Sequence, residues 1–174
     1  MAGKKTSETK IIRADSLKED SIKPNDLIET SSVTAGELVM IGRKTRRMYR
    51  WKDYGDTAYV EYQDLVAECY SATSRYLFDP LFVINSSEVI EQPLFKKVAE
   101  LYKNVLSAEE IDKLFNLDLP SFEKTLQRLP KGLRTSVKAI AADKIMNGSL
   151  DSINKIKAID SILGSDLFNS YIGG

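Results

Sequence analysis

The hydrophobic pattern of this chain changes period once, close to residue 62, and that change decides its fold class. Before it, apolar residues alternate in short runs separated by turn residues; after it, they recur every three to four positions. Alternation is the mark of half-buried strands, and the longer period that of helices with one apolar face. The expectation is an α+β fold with a small antiparallel β-module followed by a helical bundle. The 174 residues, 43% apolar and 29% charged, are ordinary for a folded chain of this size.

Asp26–Thr30 opens after Pro24-Asn25 as a first short strand, and Thr34-Ala35-Gly36 is a turn. Glu37–Ile41 is a second strand, closed by Gly42, and Arg43–Arg46 is a polar connection to a third at Arg47–Trp51. Asp53-Tyr54-Gly55-Asp56 is a turn cluster. It leads into Thr57–Tyr62, with Ala58, Val60 and Tyr62 on one face. Few short strands with tight turns suggest an SH3-like barrel or a meander, and such a module needs a helix or partner over one face.

Beyond it, Gln63 to about Tyr76 fits a helix ended by Asp79-Pro80, and Leu81–Ile84 suits either a buried strand or a helical turn. A helix is expected from Pro93 to about Asn104. Ser107 and Glu110 form a capping-box pattern, and Pro120 or Ser121 opens the next helix. Leu133, Val137, Ile140, Ala141 and Ile145 make a regular stripe stopped by Asn147-Gly148. Asp151 or Ser152 caps a last helix that Gly164 stops, leaving 165–174 as a fraying tail. The expected division is an extended or disordered arm over 1–24, a β-rich module with its following helix over 25–80, and the bundle over 81–174.

The arm, 1–24, is polar and aperiodic and buries too little to offset its ordering entropy alone. Its Ile11-Ile12 pair and Leu17 are candidate anchors for ordering on a partner. No apolar run reaches the length of a membrane span, and the first residues lack the apolar core of a signal peptide, so synthesis in a reducing cytoplasm is expected.

Histidine is absent and cysteine occurs once, at Cys69. Ser-His-Asp, Cys-His and His-metal chemistry are thereby excluded, as are a disulfide framework and a cysteine-rich zinc site. Cys69 is expected as a small core residue. Isolated glycines form no phosphate loop. No cofactor is expected, and no catalytic or metal-binding residue is nominated. Asp53, Asp56, Glu61 and Asp64 read first as turn chemistry and as local neutralisation of nearby cations.

Equal numbers of basic and acidic residues hide a segregated charge: +5 over residues 1–52, −9 over 53–123 and +4 over 124–174. Such a chain pairs with itself, with copies of itself or with charged partners. The densest feature is Arg43, Lys44, Arg46, Arg47, Arg50 and Lys52 with Tyr49 and Trp51 interleaved, six cations within ten residues. Arg, Tyr and Trp are the residue types that dominate protein interfaces, and the same mixture binds phosphate and stacks on bases. A strand here puts Arg47, Tyr49 and Trp51 on one face and Met48 and Arg50 on the other. The partner-binding candidates are therefore Ile11, Ile12, Leu17, Arg43, Lys44, Arg46, Arg47, Tyr49, Arg50 and Trp51. A basic helix over 131–147, with Lys131, Arg134, Lys138 and Lys144 outside its apolar stripe, is a second candidate for nucleic acid.

The order Pro24-Asn25-Asp26-Leu27-Ile28-Glu29, Gly36-Glu37-Leu38, Arg43-Lys44-Thr45, Trp51-Lys52-Asp53-Tyr54-Gly55-Asp56 and Asp64-Leu65 resembles small uncharacterised virion-associated proteins of tailed bacteriophages, gut and crAss-like phages among them. The likeness covers roughly residues 22–80 and rests on strand and turn residues. It implies a non-enzymatic structural or assembly protein of the virion, associated with capsid, neck or tail. Such a protein would bind other phage structural proteins in multiple copies. The alternative is a phage-encoded nucleic-acid-binding regulator that uses the basic hairpin 43–52 or the helix 131–147.

Overall fold

The computed structural model of the protein describes residues 22–173. Four strands come first: β1 (Leu27–Ser32), β2 (Leu38–Ile41), β3 (Met48–Trp51) and β4 (Thr57–Glu61). Helices α1 (Tyr62–Tyr70) and α2 (Arg75–Phe78) lead to β5 (Phe82–Ile84), followed by α3 (Ser87–Ile90) and α4 (Lys96–Tyr102). The remainder is α5 (Ala108–Leu114), α6 (Leu119–Arg128), α7 (Lys131–Met146), α8 (Ile153–Leu163) and α9 (Leu167–Ile172). This is an α+β fold. The change of hydrophobic period falls where β4 passes directly into α1, Glu61 ending the strand and occupying the cap position of the helix.

The strands form two small antiparallel sheets sharing one core, not a continuous meander or a closed ladder. One sheet has the order β4-β1-β5, and the other is the β2-β3 hairpin. In the first, Ile28 faces Val60, while Thr30 and Ser32 face Ile84 and Phe82. These residues are buried, and the Thr30 hydroxyl donates to the Ala58 carbonyl at 2.7 Å, so its burial leaves no polar group unpaired. The hairpin stays outside that sheet, whose central strand β1 has both edges taken. Ser32 donates its N–H to the Asp56 carbonyl at 2.8 Å, and Val33 donates to Leu81 at 2.9 Å. The ambiguous run at Leu81–Ile84 is thus resolved as the strand that fills the second edge.

Local chemistry shifts several helix boundaries. The helix expected over 63–76 breaks after Tyr70. Ser74 donates its hydroxyl to the Glu68 carboxylate at 2.5 Å and stands at the cap of α2, where a serine serves better than in a helix interior. The segment from Pro93 begins as a 3₁₀ turn, Pro93–Phe95, before α4. The capping box at Ser107 and Glu110 is present as read. α6 begins earlier than Pro120, capped by Asp118, which accepts the Ser121 N–H at 3.3 Å. The tail does not fray after Gly164. Asp160 accepts the N–H groups of Leu167 at 2.8 Å and Phe168 at 2.9 Å, which fixes the start of α9 against α8.

Two cores result. The first contains Trp51, Phe82, Phe95 and Val98, with Trp51 stacked on Phe82 at 5.0 Å between ring centroids. The second contains Phe122, Leu126, Leu133, Val137, Ile156 and Ile159. A division at residue 80 does not follow them. Phe82, Ile84, Val89, Phe95 and Val98 belong to the first core, because β5 pairs with β1 and α4 covers the sheets. Val33 belongs to the second.

α7 ties the two cores together. The buried Ser136 hydroxyl donates to the Val33 carbonyl at 2.8 Å and accepts the Ala35 N–H at 3.1 Å. One turn earlier, Gly132 lies so close to the chain at 79–80 that any Cβ would collide with the carbonyl oxygens of Asp79 and Pro80. Backbone oxygens do not swing aside as a flexible side chain does. Gly132→Ala is therefore expected to destabilise the protein by about 1–3 kcal/mol, read as a lower urea midpoint. An unchanged midpoint would show that α7 has slack against this corner.

Candidate functional site

The β2-β3 hairpin and α1 are joined by a row of carboxylates. Glu61, Asp64 and Glu68 stand at i, i+3 and i+7, a spacing that puts all three on one side of a helix. All three are buried. Each receives a different part of the hairpin.

Asp64 takes the turn. It accepts the backbone N–H groups of Lys44 at 2.7 Å and Thr45 at 3.1 Å, the Thr45 hydroxyl at 2.5 Å and the Tyr49 hydroxyl at 2.7 Å. Burial pushes the Asp64 carboxyl up, but the bonds from Thr45, Tyr49 and Lys44 outweigh it and hold the group below the usual carboxylate value. Burial likewise raises the Tyr49 hydroxyl; the Thr45 bond opposes this, and the Asp64 bond adds to it. Gly42 opens the turn because a Cβ there would strike the Asp64 carboxylate. Arg46 closes it with a φ of 62°, a left-handed conformation costly for a side chain of this size. The tightness of the turn, with Gly42 N–H on the Arg47 carbonyl at 2.8 Å and Arg46 N–H on the Gly42 carbonyl at 3.0 Å, holds it there.

The other two carboxylates take guanidinium groups. Arg43 meets Glu68 at 2.6 Å, and Arg47 meets Glu61 at 2.7 Å. Glu68 also accepts the Ser74 hydroxyl, and Glu61 accepts the Gln63 amide at 2.7 Å. Arg50 pairs with Glu37 at 3.0 Å in the open. Half of the basic cluster is thus engaged within the protein. Lys44, Arg46 and Lys52 are exposed and form no ion pair among the described residues.

The candidate residues therefore separate. Tyr49 and Trp51 are not free to meet a partner: both lie in the first core, because strand alternation places them inward with Leu38 and Met40. Arg43, Lys44, Arg46, Arg47 and Arg50 are exposed. Ile11, Ile12 and Leu17 lie outside the described residues. Ile41 and Met48, absent from the sequence-derived candidates, are cross-strand neighbours on the outward face, 45% and 61% exposed. The signal for Met48 was the alternation itself: burying Trp51 turns Met48 out.

Asp53 and Asp56 serve turns, as their spacing suggests. Asp53 accepts N–H groups from Gly36 and Tyr54, which hold its carboxyl below the ordinary value, and Asp56 accepts the Lys52 N–H at 2.7 Å. Cys69 is half-buried with its thiol on the Leu94 carbonyl, and burial pushes the thiol up. The basic residues of α7 turn mostly onto neighbouring elements. Lys131 meets Asp79 at 3.8 Å, Arg134 donates to the Leu129 carbonyl at 3.0 Å, and Lys144 meets Asp112 at 3.5 Å. No helix among the described residues is long and apolar enough to cross a membrane.

Asp64→Asn tests the carboxylate row. Four donors converge on a group that would lose one acceptor atom and its charge, so stability at neutral pH should fall by about 1–3 kcal/mol. The Asp64 carboxyl is held below its unfolded value. Its contribution is therefore full above that value and disappears as pH falls through the folded one. Urea melts should show a shallower acid limb for the variant than for the parent. Identical acid limbs would contradict the role given to Asp64. No family model, curated protein or solved structure matches the chain closely enough to assign it a family.

Proposed function

We propose that the protein is a non-enzymatic structural or assembly component of a tailed-phage particle. It is made in the host cytoplasm and carried in the virion, where it binds other virion proteins in multiple copies. Its β2-β3 hairpin is the docking element. The observation that carries this is the hairpin's outward face. Ile41 and Met48 lie side by side in solvent, with Lys44 and Arg46 on the adjoining turn, while the hairpin and its turn are fastened by three buried carboxylates at the end of β4 and in α1. A surface fixed before binding loses little ordering entropy when it docks. An apolar centre with a cationic border suits a protein surface carrying acidic residues at its edge. The likeness over residues 22–80 supplies the phage setting.

Mass spectrometry of purified particles and assembly intermediates, with light scattering of the isolated protein, is the direct test. The protein should be present in several copies. Ile41→Asp with Met48→Asp should remove it from particles while leaving it folded by circular dichroism, since both side chains are exposed. Absence of the parent protein from virions and intermediates would sink the proposal. Binding to nucleic acid that weakens steeply with salt would favour the regulator instead.

A further inference from the structure

The helical half carries a groove on elements that the hairpin does not use. Two hollows, of about 360 and 210 Å³, share Leu106, Glu110 and Thr125 and so run together as one groove along α5 and α6. Its apolar lining is Leu106 and Leu129 in the larger hollow, beside the polar Asn104, Ser121 and Thr125, and Leu114 and Leu117 in the smaller. Its rim is cationic: Lys103, Lys124 and Arg128 line one hollow and Lys113 the other.

The arrangement follows from the sequence of α6. Phe122 and Leu126 enter the second core with Leu129 at the helix end, and Ser121, Lys124, Thr125 and Arg128, at i, i+3, i+4 and i+7, form the adjoining stripe. Two of the cations have exposed partners, Lys103 with Glu100 at 2.7 Å and Lys113 with Glu109 at 4.0 Å. Lys124 and Arg128 form no ion pair among the described residues. Among the described residues the single carboxylate lining the groove is Glu110, which accepts the Ser107 N–H at 2.8 Å and so belongs to the capping box of α5.

An apolar floor between cationic walls recognises a segment that is apolar on one side and acidic on the other. We propose that the groove between α5 and α6 binds an acidic amphipathic segment of another protein, with leucine-like anchors on Leu106 and Leu117 and carboxylates paired to Lys124 and Arg128. This does not rest on the hairpin and extends the protein's role to bridging two partners.

The test uses the full chain and two labelled synthetic peptides. One is an amphipathic helix with leucine on one face and glutamate on the other; the second carries lysine in place of each glutamate. Fluorescence anisotropy should show the acidic peptide binding at least about tenfold more tightly than the basic one. Lys124→Glu with Arg128→Glu should lower that affinity by at least about tenfold, with the melting temperature retained because both residues are exposed. Ile41→Asp with Met48→Asp should leave it unchanged, which separates this proposal from the hairpin. Equal binding of both peptides would overturn it, as would full affinity in the charge-reversed protein. So would self-association of the parent that the reversal abolishes, since the groove would then belong to a second copy.

Discussion

Everything on the strand side of the molecule depends on the burial of Asp64. A carboxylate withdrawn from water is costly unless its lone pairs are filled, and here four donors fill them, three from one turn and the Tyr49 hydroxyl from β3. The converse also holds. The turn at 42–47 bends as it does, with a left-handed Arg46 and no room for a side chain at Gly42, because the carboxylate is there to bind it. Glu61 and Glu68 extend the same arrangement to either side. Their arginine partners are partly exposed, so these pairs contribute less through Coulomb attraction than by saturating the buried acids.

This arrangement changes the meaning of the basic cluster. Six cations in ten residues suggest a strongly positive surface when read along the chain. In the fold, Arg43, Arg47 and Arg50 answer carboxylates of the same protein, and the segregated charge of the sequence is partly cancelled within one molecule. What remains outward is smaller and of a different kind: two apolar side chains beside Lys44 and Arg46, which form no ion pair among the described residues, with Lys52 at the far end of the hairpin. The helical half repeats the theme, with α7 turning Lys131, Arg134 and Lys144 onto neighbouring elements while Lys124 and Arg128 of α6 form no ion pair among the described residues.

Much of this was legible in the residues. Strand alternation located β2 and β3, and glycines of positive φ at 36, 55, 148 and 164 marked turns and helix ends where the sequence placed them. The limits have physical causes. β5 is three residues long and is a strand only because β1 has an empty edge. Asp160 organises α9 through bonds to residues beyond a glycine, which helical periodicity does not reveal. Glu61 and Asp64 were legible as partners for the nearby cations, and Arg47 meets Glu61, but Glu68 and the burial of all three were not, because they follow a helical spacing whose polar side is normally given to solvent. Asp64 and Glu68 are buried only because a hairpin from earlier in the chain lies across them. Tyr49 and Trp51 were nominated for their chemistry, and tertiary packing claimed them first.

The direct passage of β4 into α1 at Glu61 has a mechanical consequence. With no loop between them, the register of the strand against β1 and the rotational phase of the helix are one setting. One residue inserted at the junction would turn α1 by about 100° relative to the sheet and carry Asp64 and Glu68 away from the hairpin together. Chain length is therefore fixed at this point by geometry, whereas the connection at 147–152 between α7 and α8 is free of any such coupling to a strand.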